Sequence, residues 1–291
     1  MGEADVVLVA GARLSPFTLR FGHLLGPDTT VIQIDTALQP TNPRVDTFVS
    51  ADVKSAAEHI LRMLDGGTSS EAWRAEARKR VAEGPAQTAD GRLDPRALAT
   101  ALDAGLPERR TVVQDGGHFL GWAPMYWRIP RPQDLVMVGT AFQSIGLGLA
   151  SAVGAARAVE DGRTLVLASG DGGFLMGLSD LESLIGAAHS AVVVIYNDAA
   201  YGAEIHQYGS QGLTQKPMLI PEVDFSGIAR ALGAESVIIR SLADLAALTD
   251  WIDAGAKGTF VADCRITSSV RAPWLSEWMA AKQAAKAAVA G

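Results

Sequence analysis

The sequence predicts an α/β protein, a doubly wound parallel sheet preceded by a smaller, partial sheet. Two observations predict it. Short unbroken apolar runs, such as TLVLAS at Thr164–Ser169 and AVVVIY at Ala191–Tyr196, have the form of strands buried on both faces. Helix-length segments alternate with these runs along the chain, the pattern of a parallel sheet with helices on both faces.

In order, Asp5–Gly11 (DVVLVAG) predicts a buried strand entering a turn, Thr30–Asp35 a second and Thr47–Val49 a short third. Asp52 is placed to cap a helix over Val53–Leu64, with Ala56, Ala57, Ile60, Leu61 and Leu64 on one stripe. Three strands are few for a doubly wound sheet, where about 5–6 is usual. A polar segment follows, with a helix expected near 71–83 and a linker, GPAQTADG. Asp94-Pro95 opens a helix through Leu102, with Pro at the first helical position. Strands are expected at Thr111–Gln114, Leu135–Val138, Thr164–Ser169, Ala191–Tyr196, Ser236–Ile239 and Thr259–Asp263. Helices are expected over Ser144–Val159, Leu178–Ala188, Phe225–Leu232, Leu242–Ala254 and, as an Ala-rich amphipathic tail, Trp274–Ala290.

Composition narrows the function classes. The 291 residues carry 25 Lys and Arg against 32 Asp and Glu, a net charge of −7, which argues against a nucleic-acid groove or a polybasic membrane patch. The lone Cys264 can form neither an internal disulfide nor a cysteine-built metal site, and it points to a reducing, cytoplasmic setting. No apolar stretch approaches the roughly 18–20 residues of a membrane span.

The chemistry concentrates at two strand ends. Thr164–Ser169 runs into Gly170-Asp171-Gly172-Gly173, and the next apolar strand ends in Asn197-Asp198-Ala199-Ala200-Tyr201-Gly202. Ligands of open parallel sheets bind beyond the carboxyl ends of the strands, so both aspartates are expected at the binding edge. The glycines let phosphates approach the backbone. A lone GDGG is usually a turn, but Asp198 follows Asp171 by one strand–helix–strand passage. Two carboxylates at adjacent strand ends make a hard oxygen site for Mg²⁺ or Ca²⁺. A Mg²⁺ so held completes its shell with phosphate and water, so the residues point to a diphosphate anchored through a divalent cation. Gly146-Leu147-Gly148 with Ser151 superficially matches a dinucleotide fingerprint, but no acidic residue follows at about 20 residues to take a ribose.

Gly170-Asp171-Gly172 followed by Asn197-Asp198 resembles the fingerprint of the thiamine diphosphate enzymes, and most of the chain is similar to the acetolactate synthase and benzoylformate decarboxylase group. The resemblance implies that Asp171, Asp198 and the main-chain carbonyl of Ala200 ligate Mg²⁺, and that Asn197 supports the turn or the diphosphate. Many members carry Asn where this chain has Asp198. Gly170, Gly172, Gly173, Tyr201 and Gly202 fall in the implied cofactor-binding segments. Asp115-Gly116-Gly117-His118-Phe119 resembles the strand end that opens the diphosphate domain, with Gly117 at the cofactor. Gly139–Gly148 resembles the loop beneath the thiamine, with Gln143 and Ser144 near the aminopyrimidine and Ile145 as the apolar wedge that bends the cofactor. The implied fold is the thiamine diphosphate-binding α/β fold preceded by a partial, Rossmann-like central domain. Its parts are 1–65 as the C-terminal half of the central domain, 66–92 as a helical linker, 93–270 as the diphosphate-binding domain and 271–291 as a helical tail.

Glu204 is a candidate proton donor if desolvated, its alternative being a solvated residue on a helix. His118 and His206 are candidate acid–base groups, His118 preferred for its place at a strand end. Trp122, Tyr126 and Trp127 line a pocket or pack a loop.

In this family a Glu from a separate pyrimidine-binding domain protonates the thiamine. That domain lies N-terminal to the region resembled. The resemblance therefore implies a partner subunit carrying it and the first half of the central domain, in a hetero-oligomer such as a dimer of heterodimers. FAD or ADP, bound by some relatives through the central domain, would meet Gly11, Arg13 and Asp35 and would span two chains or be missing. The implied reaction is decarboxylation of a 2-keto acid with ligation of the acyl fragment to a second carbonyl. A simple decarboxylase, a 2-hydroxyacyl-CoA lyase and a non-catalytic thiamine diphosphate- or nucleotide-binding subunit are the alternatives.

Overall fold

A computed structural model describes residues 3–16, 18–64, 82–137 and 144–290. The chain divides into two compact units, one of residues 1–80 with 276–291 and one of residues 81–275.

In the first unit, β1 (Val6–Ala10), β2 (Thr30–Asp35) and β3 (Thr47–Ser50) form a parallel sheet in that order, with β1 at an edge. Val7, Val9 and Val31 are buried with Leu14 and Leu19, while Val6 and Leu8 alternate with them and are 56% and 52% exposed. Asp52 caps α1 (Val53–Met63) by accepting from Ser55 N, as expected. The predicted apolar stripe of α1 is not buried, however. Leu61 and Leu64 are 68% and 60% exposed, because the described residues lay no element over that stripe. The helix expected near 71–83 falls mostly outside the described residues.

The second unit is a six-stranded, all-parallel sheet. Its strands are β4 (Arg110–Gln114), β5 (Leu135–Val136), β6 (Thr164–Gly170), β7 (Ser190–Asn197), β8 (Glu235–Ile239) and β9 (Gly258–Arg265), ordered β5-β4-β6-β7-β9-β8. Alternate residues feed two cores, which is why the strands read as continuous apolar runs. Val112, Val166, Val192 and Ala262 face one side with α2 (Pro95–Gly105) and α8 (Ala246–Asp253). Val113, Leu167, Val193 and Val261 face the other with α3 (Gly148–Ala156), α5 (Asp180–Ala187) and α7 (Phe225–Ala231). This is the doubly wound arrangement the sequence predicts. Cys264 is a buried core residue.

Beside the short helical turn Ala123–Tyr126, helices α4 (Asp171–Met176), directly after β6, and α6 (Gly202–Tyr208), after the β7 loop, are not expected from the sequence. The helix expected from Ser144 starts only at Gly148, because Gly146 has φ +85° and breaks the helical path. Residues 82–92, expected as linker, form a turn bridged from Gln87 to Leu93 and belong to the second unit. A last helix, α9, covers Pro273–Ala290.

Candidate functional site

The strand order places the site. From β4 the chain crosses to β5 on one side and then to β6 on the other, so the winding reverses between β4 and β6. A crevice opens at the carboxyl ends of strands at such a reversal. Asp115 leaves β4 there, Asp171 leaves β6, and Asn197-Asp198 leaves β7, which pairs with β6 through Gly170 and Tyr196.

Asp171 is 3% exposed; its Oδ1 accepts from Gly172 N at 2.8 Å and its Oδ2 from Ala200 N at 3.2 Å. Burial pushes its carboxyl up to about 6. Asp198 is raised well above the ordinary carboxylate range, by burial first and then by the charge of Asp171. The described residues place no Lys or Arg in ion-pair contact with either carboxylate. Two like charges set close together in a cleft, one of them buried, form a site that a cation completes. Among the described residues no three His, Cys, Asp or Glu side chains converge on a point, so the protein offers two carboxylates and backbone oxygens rather than a closed cage.

The loop carrying Asp198 is fixed from below. Asn197 is fully buried, donates Nδ2–H to Asp263 Oδ1 at 2.9 Å, and accepts from Ala199 N. Ala199 takes the left-handed φ of +57°, which turns Ala200 back toward Asp171. Asp263 in turn accepts from Arg265 and from Phe225 N, and Arg92 donates to the Asn197 carbonyl. Asp263 was not expected as a site residue. Its signal was faint, a single Asp in an apolar strand.

Glycines leave room over the carboxylates. A Cβ at Gly172 would meet Tyr201 Cε1 at 2.6 Å, and one at Gly202 would meet Asp198 Oδ2 at 2.7 Å and His118 Nδ1 at 3.1 Å. The cleft is lined by Gly117, His118, Ile145, Gly170, Asp171, Gly172, Gly173, Asp198, Ala200, Tyr201, Gly202 and Glu204 among others. The paired carboxylates and glycine floor fit a diphosphate held through a divalent cation.

Of the other candidates, Ser144 lies beside the cleft with its hydroxyl on the Ile145 carbonyl, and Gln143 lies outside the described residues. His118 lines the cleft but is buried, and its Nε2 accepts from Ala272 N at 2.8 Å. Burial, with the charges of His206 and Arg271, pushes it down to about 3, so it is neutral near pH 7. His206 stacks behind it, ring centroids 4.7 Å apart, and is absent from the cleft wall. Glu204 stands exposed at the cleft, so none of the described residues takes it out of water. Trp122 and Trp127 are buried in the core and Tyr126 donates to the Ala82 carbonyl, so these three pack the loop after β4.

A family model described as "Thiamine pyrophosphate enzyme, C-terminal TPP binding domain" matches residues 115–263, just over half of the chain. An acetolactate synthase of Bacillus subtilis is 26% identical over 84% of this chain and 44% of its own length. A sulfoacetaldehyde acetyltransferase of Castellaniella defragrans is 25% identical over 87% and 48%. A solved thiamine diphosphate-dependent 4-hydroxybenzoylformate decarboxylase of Rhodococcus jostii superposes with a TM-score of 0.69 at 20% identity, over 90% of this chain and 49% of that one. The chain spans about half the length of the relatives it matches. With this match across the strands that carry Asp171 and Asp198, the chain belongs to the thiamine pyrophosphate enzymes and carries their C-terminal cofactor-binding domain.

Proposed function

We propose that the chain supplies the diphosphate- and Mg²⁺-binding half of an enzyme that decarboxylates a 2-keto acid and joins the acyl fragment to a second carbonyl. The observation that carries this reading is the carboxylate pair of buried Asp171 and half-buried Asp198, facing a glycine-floored cleft at the sheet's winding reversal. Asp171, Asp198 and the Ala200 carbonyl would hold the cation, and Gly170, Gly172 and Gly173 would admit the diphosphate to the backbone. Thiamine diphosphate, when bound, supplies the carbon nucleophile and electron sink for carbonyl chemistry. Ile145 offers the apolar wall of the cleft. His118, held neutral against the Ala272 amide, shapes it without contributing charge at neutral pH.

The pyrimidine-binding module and the first half of the central domain would come from a partner polypeptide in a hetero-oligomer working in the cytoplasm. Support comes from the apolar Val6 and Leu8 left exposed on edge strand β1. A nucleotide such as FAD or ADP at Gly11, Arg13 and Asp35 would need that same partner.

Glu204 on the cleft rim favours a second reading, a simple decarboxylase or a 2-hydroxyacyl-CoA lyase, once a partner surface desolvates it. Product analysis separates the two. The completed enzyme with pyruvate, thiamine diphosphate and Mg²⁺ is expected to yield acetolactate, with Asp171→Ala abolishing turnover. Acetaldehyde as the sole product would replace the first reading by the second. Unchanged turnover in Asp171→Ala would leave the chain a structural role.

A further inference from the structure

We propose that Asp115 is the positioning residue that holds Ile145 in the wall of the diphosphate cleft, an inference that rests on the thiamine diphosphate reading above. Asp115 sits at the winding reversal, 2% exposed, where β4 ends. Its Oδ1 accepts from Gly116 N at 2.7 Å and from Gly146 N at 3.0 Å, and its Oδ2 accepts from the Ser169 hydroxyl at 3.1 Å.

One carboxylate thus ties together three segments that are far apart in sequence: the turn after β4, the turn before α3 that contains Ile145, and the end of β6 just ahead of Asp171. Every polar neighbour is a donor, and an ionised carboxylate is the side chain that only accepts. The approach is so close that glycine is required around it. A Cβ at Gly148 would meet Asp115 Cβ at 2.6 Å, and one at Gly173 would meet its Oδ2 at 2.6 Å.

The link to Ile145 is direct. Gly146, the residue after it, takes φ +85° and gives its amide to Asp115. Gly116, whose amide shares the same oxygen, packs so tightly that a Cβ there would meet Ile145 Cγ2 and the Ser144 carbonyl at 3.1 Å. Ile145 itself lines the cleft. Without the carboxylate, two backbone amides and the Ser169 hydroxyl lose a buried acceptor, and the turn that presents Ile145 has to rearrange to find others.

The test compares Asp115→Leu, Asp115→Asn and Ile145→Ala in the full chain, by calorimetric titration of thiamine diphosphate with Mg²⁺ and by amide hydrogen exchange of the ligand-free chain. Asp115→Leu is expected to weaken binding by about 10-fold or more and to speed exchange at Gly116 and Gly146. Asp115→Asn keeps one oxygen for the Gly116 and Gly146 amides, so it is expected to recover most of the affinity and protection. Adding Asp115→Leu to Ile145→Ala is expected to cost less than the sum of the two single losses, because both act through one wall.

Wild-type affinity in Asp115→Leu would overturn the proposal, as would fully additive losses in the double variant or an Asn variant no better than Leu. If Asp115→Leu does not fold, Asp115→Ser takes its place in each of these comparisons. Failure of the wild-type chain to bind would instead overturn the proposed function, and the proposal with it.

Discussion

Asp171 and Asp198 bring like charge into a buried cleft, and the consequences can be followed in pH. Burial lifts the folded-state pKa of Asp171 to about 6, above the ordinary value of an unfolded aspartate. A raised carboxyl contributes stability that is present below the unfolded pKa and lost as pH rises through the folded one. The Mg²⁺-free chain is therefore expected to lose thermal stability as pH climbs from the ordinary carboxylate range through about 6. Mg²⁺ is expected to restore it at neutral pH. Asp171→Asn should flatten the slope and weaken Mg²⁺-dependent ligand binding by about 100-fold. Melting curves with and without Mg²⁺ across that range check both. A slope that is identical in wild type and variant would assign the pH dependence to other groups.

The elements around the cleft place glycine where a side chain cannot stand, and elsewhere use it less strictly. Gly202→Ala would drive a Cβ to 2.7 Å from Asp198 Oδ2, so it is expected to weaken diphosphate binding by about 10-fold or more. Gly186, exposed on α5 with nothing within 4 Å of an added Cβ, is the contrast. Gly186→Ala is expected to leave binding unchanged and to add up to about 1 kcal/mol of stability from helix propensity, read by denaturant unfolding.

The same elements show how far the sequence was readable. β6 and β7 were legible because strands buried on both faces read as apolar runs, and their ends put Asp171 and Asp198 at one edge. α4 was not, because Gly172-Gly173 are poor helix formers and its start is set by the strand before it. The helix assigned from Ser144 failed at Gly146, whose positive φ only the fold reveals. Asp115 and Asp263 were missed as site residues for a related reason. Each acts by accepting from segments distant in sequence, so nothing near it in the chain announces its role. The exposed stripe of α1 has the opposite cause, since amphipathic spacing signals an apolar face without saying what covers it.

At the scale of the molecule, the second unit has a two-sided core and a formed cleft, while the first unit carries a three-stranded sheet with apolar residues on an edge strand. Such an edge invites pairing with another chain. The isolated chain is expected to self-associate reversibly in sedimentation velocity, and Val6→Thr with Leu8→Thr to shift it toward monomer without changing ligand affinity. A wild-type chain that stays monomeric at high concentration would weaken the case for a partner on this strand.

Asp171 and Asp198 are proposed to bind thiamine diphosphate through a divalent cation, and calorimetric titration of the chain with thiamine diphosphate reads that binding. Binding is expected with Mg²⁺ present, to be lost on chelation with EDTA, and to be lost in Asp171→Ala even with Mg²⁺. Binding that persists in EDTA, or in Asp171→Ala, would contradict it.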